Sequence, residues 1–218
     1  VGSDLSRLPD RYIKWSYRGR KELLRRIGAG EDLAREVIFL GFTRHTPTVV
    51  SVGSAGPNGS VKGVGFVPGS AHIEMLLAKY LEHIDSGWSD DYSARGLKIL
   101  EETVYGPSGE DVVDFTKLAT LELAKGHTWR NLKENRSVSL VFYEPPVISF
   151  EVRAVAEIHE DGIYHEFVNA QHDVYHKPNR PGWKDRPAYI FGIEEIYDNS
   201  ATRDGFGTLI YRKEEPSA

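Results

Sequence analysis

From Val112 to Tyr197 the chain repeats one pattern, in which runs rich in β-branched and aromatic residues each end at a break that a strand cannot cross. "VVDFTKLATLEL" gives way to a polar corner, "AKGHTWRNLKEN", with a short helical run at "WRNLKEN". "SVSLVFY" then stops at Pro145-Pro146, "VISFEVRAVAEI" stops at "EDG", and a helix-type run, "YHEFVNAQHDVYHK", leads to "PAYIFGIEEIY". Upstream, "PTVVSVG" and "SVKGVGFVPG" flank "SAGPNGS", whose Pro-Asn-Gly supplies turn geometry at low steric cost, so the two read as a hairpin. Six strands that antiparallel connections can join predict a small barrel with helices over its openings.

Two helical regions interrupt the strand pattern. Leu23, Leu24 and Ile27, then Leu33, Ala34, Val37 and Ile38, have helical spacing broken by Gly28-Ala29-Gly30, and Glu31 and Asp32 suit a helix start. Ile73, Leu76, Leu77, Tyr80, Leu81 and Ile84, followed by a run around Leu97–Leu100, predict a helical insert. The expected organisation is one domain over residues 1–218: a helical arm (1–44), the first hairpin (45–70), the insert (71–110), the remaining barrel (111–198) and a tail (199–218).

Charge is uneven along these regions. Basic residues dominate from Arg7 to Arg26, whereas Glu82 to Asp114 is acidic, so the two either pair with each other or leave the basic arm to meet an anionic ligand. A net charge of −5 argues against nucleic acid as a partner. No apolar run suits a membrane span and no signal-peptide pattern is present, so a cytoplasmic protein without a membrane partner is expected. With no cysteine, thiolate metal sites, iron–sulfur clusters and thiol nucleophiles are excluded, and redox chemistry requires a cofactor.

The corner after the "LATLEL" strand concentrates groups that suit a phosphate. An anion carrying nearly two charges is held best by donors already in place. Thr128 is positioned to cap the helix, Gly126 permits close backbone approach, Lys125 or His127 adds positive charge, Arg130 falls in the first turn, and Asn131 follows it.

The order strand, "AKGHTWRNLKEN", "SVSLVF", "FEVRAVAEI", helix, "AYIFGIEEIY" resembles the pyridoxamine 5'-phosphate oxidase-like superfamily of FMN-binding split barrels over about residues 46–198. The resemblance implies a mainly β fold with helices (α+β), a six-stranded antiparallel split β-barrel with an N-terminal helical pair and a helical insert. It also implies a cofactor-dependent oxidoreductase acting on a small molecule, a homodimer whose interface buries FMN, and FMN phosphate at Lys125, Gly126, His127, Thr128, Arg130 and Asn131. Lys62 is the one basic residue that the second hairpin strand offers to the same phosphate. A haem-binding alternative therefore stays open, resembling heme-utilisation proteins or the piperazate synthases, which act on a small nitrogenous substrate and join two nitrogens. Haem needs one histidine as axial ligand; of eight, His72 comes first, His45 second and His127 third. A non-enzymatic flavin- or haem-binding module is the remaining alternative.

Other signals are weaker. His172 and His176 stand four apart, with His165 upstream, yet no HExxH pattern completes a metal site, and the stretch reads as a polar helix face. Trp183 and Arg186 in "GWKDR" are candidates for flanking a flat ring. Gly63-Val64-Gly65 and Gly205-Phe206-Gly207 read as turns, and no Gly-x-Ser-x-Gly elbow exists.

Overall fold

The computed structural model describes residues 8–214; Arg7, at the start of the basic stretch, lies outside them. Asp10–Ile13 (α1), a π-helical stretch Lys14–Arg18 and Gly19–Gly28 (α2) form one continuous rod, since the junction residues keep right-handed helical angles. Its Tyr12, Ile13, Ser16, Tyr17 and Leu24 are buried. The second helix, α3, spans Arg35–Thr43. It starts later than the acidic pair suggested, because Glu31 is engaged instead by Arg26 at 2.7 Å, tying down the link between the helices.

Eight strands follow: β1 (Thr48–Ser51), β2 (Asn58–Val61), β3 (Gly65–Pro68), β4 (Val113–Leu121), β5 (Ser137–Glu144), β6 (Ile148–His159), β7 (Ala188–Asp198) and β8 (Thr208–Arg212). They form one antiparallel sheet in the order β2-β1-β5-β6-β7-β4-β3, with β8 added to β7. One edge of β7 is shared: its first half pairs with β4 and its second with β8. In β5 and β6 the two-residue period turns Val138, Leu140, Phe142, Phe150, Val152, Ala154 and Ala156 into the core.

The strand count departs from the expected six for two reasons. The run from Asn58 to Pro68 divides at Lys62–Val64, and the tail contributes β8. The two ends of the sheet are thus consecutive pieces of chain. Between them the N–H groups of Lys62 and Val64 donate to the carbonyls of Pro47 and His45, at 3.1 and 2.7 Å. A mainly β sheet of this order, with helices around it, is consistent with a split barrel.

Helices α4 (Ile73–Asp85), α5 (Tyr92–Glu102) and α6 (Gly109–Val112) make up the insert, α7 (His127–Glu134) the corner, and α8 (Gly162–Asp173) the histidine-bearing helix. The rod fastens one end of the core, with Tyr12 edge-on to Phe150 at 5.4 Å and Tyr17 stacked on Tyr105 at 5.4 Å. Arg18 pairs with Glu110 at 2.9 Å, so the basic arm and acidic insert do meet. Among the described residues no helix is long and apolar enough to cross a membrane.

Gly96 marks the tightest helix contact. A Cβ there would stand 1.7 Å from the Val174 carbonyl oxygen, backbone that cannot swing aside. Gly96→Ala should gain about 1 kcal/mol of helix propensity and lose about 3 kcal/mol to overpacking. A net loss near 2 kcal/mol in urea unfolding is expected; a stabilised variant would show that α5 does not sit on the end of α8.

Candidate functional site

Two adjoining cavities lie where the rod, the β2–β3 link, the end of β4 and α8 meet. The larger, about 690 Å³, is walled mainly by apolar side chains such as Leu24, Ile27, Leu97, Leu100 and Val168. Its polar lining includes Arg20, His45, Lys62, Glu122, His172 and His176. The smaller, about 170 Å³, is polar and lined by Asn58, Ser60, Lys62, Glu122, His127 and Thr128, among others. Lys62, Glu122 and Ala124 line both.

Glu122 organises the wall between them. It ends the run of inward residues at β4 and is almost fully buried. One carboxylate oxygen accepts the N–H groups of Ala124 (2.9 Å) and Lys125 (2.8 Å), which bends the chain into the corner with Lys125 at φ 46°. The other accepts from Lys62 Nζ at 3.1 Å and the Tyr189 hydroxyl at 3.0 Å. Burial alone would raise this carboxyl's pKa, but the Ala124 N–H and then the charge and hydrogen bond of Lys62, with Tyr189, hold it below the ordinary range. The wall therefore carries an ion pair rather than a bare cation.

The six corner residues do not converge on one point. Gly126, His127 and Thr128 line the small cavity; Lys125, Arg130 and Asn131 line neither cavity. Thr128 does not cap α7: the N-cap position falls on Gly126 with no side-chain bond, and the Thr128 hydroxyl accepts from Asn58 Nδ2 at 2.9 Å. Asn131, fully buried, fastens the β1–β2 loop, accepting from the Ala55 N–H at 3.0 Å and donating to the Gly56 carbonyl at 2.8 Å. Lys125 lies over the Trp129 ring at 5.5 Å, and Arg130 is exposed.

The histidines divide similarly. His72 is the N-cap residue of α4 and lines neither cavity. His45 lines the large one, and its Nδ1 is buried without a hydrogen-bond partner among the described residues. Burial, reinforced by the Arg20 charge, holds its pKa down to about 3, so the ring is neutral. His172 and His176 also line this cavity, with ring centroids 4.5 Å apart. His172 Nδ1 donates to the Asp173 carboxylate at 2.9 Å. His165 instead bonds the Trp183 carbonyl at 2.9 Å. Among the described residues no group of three or more potential ligands is disposed to hold a metal ion.

Asp173 was not among the sequence candidates, although it anchors this side of the site. It accepts from Arg186 through two nitrogens at 3.0 Å, from Trp183 Nε1 at 2.8 Å and from the Asn179 N–H at 2.8 Å. Trp183 and Arg186 thus face a buried carboxylate, and neither lines a cavity. The rim of the large cavity is apolar and open, with Val61 and Leu123 68% and 65% exposed.

Fold and site together define an antiparallel, helix-covered sheet protein with a large apolar cavity joined to a small polar one. No family model and no curated protein matches the chain. Among solved structures it is similar to a tagged HupZ from Group A Streptococcus, with 16% identity over 81% of this chain and 98% of that one, at a TM-score of 0.44. It is likewise similar to a putative pyridoxamine 5'-phosphate oxidase from Listeria innocua (13% identity, 76% and 98% covered, TM-score 0.42). An F420 reductase also matches (17% identity, 70% and 88% covered, TM-score 0.39).

Proposed function

We propose that the chain is a cofactor-dependent oxidoreductase of the split-barrel type that holds FMN, its phosphate in the small polar cavity and its ring in the large apolar one. The observation that carries this reading is the shared wall: a molecule with an anionic end and a flat apolar end suits two cavities that meet at Lys62, Glu122 and Ala124. Ser60, His127 and Thr128 are the donors around the small cavity, together with Lys62, whose ammonium is shared with the Glu122 carboxylate. When bound, the flavin ring supplies the redox chemistry, and the protein supplies orientation and an environment shielded from water. In this reading β2 and β3 are halves of one wall strand, so six walls close the barrel. Val61 and Leu123 at the rim are side chains that a second copy in a homodimer would cover.

A second reading, haem acting on a small nitrogenous substrate, is favoured by one specific observation: a neutral, half-buried His45 whose buried Nδ1 has no partner among the described residues. In it His45 takes precedence over His72, which lines neither cavity.

The visible spectrum of freshly purified protein separates the two, because flavin gives two broad bands and haem one intense Soret band. If FMN is held, His127→Ala with Thr128→Ala should weaken its retention about tenfold in a fluorescence titration, the scale of a lost hydrogen bond to a charged group. Unchanged retention would sink the phosphate assignment. In the haem case His45→Ala should erase the Soret feature and His72→Ala should keep it. Turnover with a reductant or substrate panel distinguishes an enzyme from a binding module.

A further inference from the structure

Most of the rod's basic residues are paired, the exposed Lys14 apart. Arg18 pairs with Asp10 and Glu110, Arg25 with Glu22, Arg26 with Glu31, and Lys21 donates to the Gly106 carbonyl. Arg20 has no carboxylate in ion-pair reach among the described residues, and its Nε is buried without a hydrogen-bond partner. Its guanidinium carbon lies 5.7 Å from the centroid of the Tyr105 ring, and both residues line the large cavity.

The other polar groups there do not balance it. Lys62 is matched by Glu122 at 3.1 Å. His45 is neutral, and burial followed by the neighbouring His172 lowers the pKa of His176. Among the described residues, the large cavity therefore combines apolar walls with one fixed cation, Arg20, that no carboxylate offsets. A charge in such surroundings is costly unless an anion joins it, and a ligand that brings one recovers that cost.

We infer that the large cavity accepts an apolar organic acid whose carboxylate is bound by Arg20. This defines the substrate class for the cavity in the reading above; it rests on that cavity being a binding site and not on the identity of the cofactor.

Two fluorescent probes with nearly the same apolar body test it: 1-anilinonaphthalene-8-sulfonate, which is anionic, and N-phenyl-1-naphthylamine, which is neutral. Arg20→Met should weaken the anionic probe about tenfold and leave the neutral probe within about twofold, with Arg20→Lys retaining part of the anionic binding. On the unaltered protein, dodecanoate should displace the anionic probe at concentrations where methyl dodecanoate does not, a comparison that holds even if the variant folds poorly. Equal weakening of both probes, or equal displacement by acid and ester, would overturn the inference. A protein that purifies colourless yet keeps the acid preference supports this inference while removing the flavin reading; a flavin-bearing protein without the preference does the reverse.

Discussion

Asp173→Ala should lower unfolding free energy by at least about 4 kcal/mol, the largest single-residue effect expected in this protein. The carboxylate is fully buried, and four donors depend on it: the Arg186 guanidinium, Trp183 Nε1, the Asn179 N–H and His172. Removing it strands Arg186, whose side chain is only 16% exposed, without a counter-ion. Breaking a buried pair on one side costs about 3–5 kcal/mol, and each buried donor left unsatisfied adds about 1–3 kcal/mol, with incomplete additivity. Against a typical stability of about 5–15 kcal/mol such a loss is a large share of the total, and urea denaturation at neutral pH will read it as a lowered midpoint.

The same residue gives a pH signature. Burial by itself would raise the Asp173 pKa, but the bonds from His172, Arg186, Asn179 and Trp183 outweigh it and hold the carboxyl far below the ordinary value. A carboxyl depressed on folding contributes stability that is complete above its unfolded pKa and is lost as pH falls toward the folded one. The stability gap between the unaltered protein and Asp173→Asn should therefore stay constant above about pH 5 and shrink below about pH 4. A gap that does not change with acid would mean that the carboxylate's charge contributes nothing.

Local rules carried much of the fold. The alternation in "SVSLVFY" and "FEVRAVAEI" placed β5 and β6, and the 3.6-residue spacing from Ile73 to Ile84 placed α4. What needed tertiary context was missed. The turn signal Gly63-Val64-Gly65 falls where the run Asn58–Pro68 divides, but nothing local shows that the two halves pair with different strands, and "TLIYR" is too short a run in the tail to announce β8. In the corner, the helix itself explains the departure. Successive residues turn by about 100°, so Thr128, Asn131 and Leu132 share the buried face while Arg130 points outward, and one anion cannot meet them all. Arg20, Glu122 and Asp173 acquire meaning only from distant partners or from the cavity they border. A lone glutamate closing the apolar run of β4 and the adjacent pair His172-Asp173 were the available signals.

Glu122→Gln should destabilise the protein and strengthen its hold on phosphate at the same time. Glutamine retains an oxygen for the Ala124 and Lys125 N–H groups, but its amide cannot accept from Lys62, so the ammonium loses its counter-ion. The two side chains are 3% and 11% exposed, which puts the loss near the lower end of the buried-pair range, about 3 kcal/mol. Because Lys62 also lines the small cavity, the freed charge faces the place proposed for the cofactor's phosphate. Inorganic phosphate should then restore part of the variant's stability by mass action, by up to about 2.7 kcal/mol at a hundred times its dissociation constant, while shifting the unaltered protein much less. Urea unfolding with and without phosphate measures both effects in one experiment. Equal stabilisation of the two proteins would show that Glu122 does not restrain Lys62, and that the small cavity draws no anion through it.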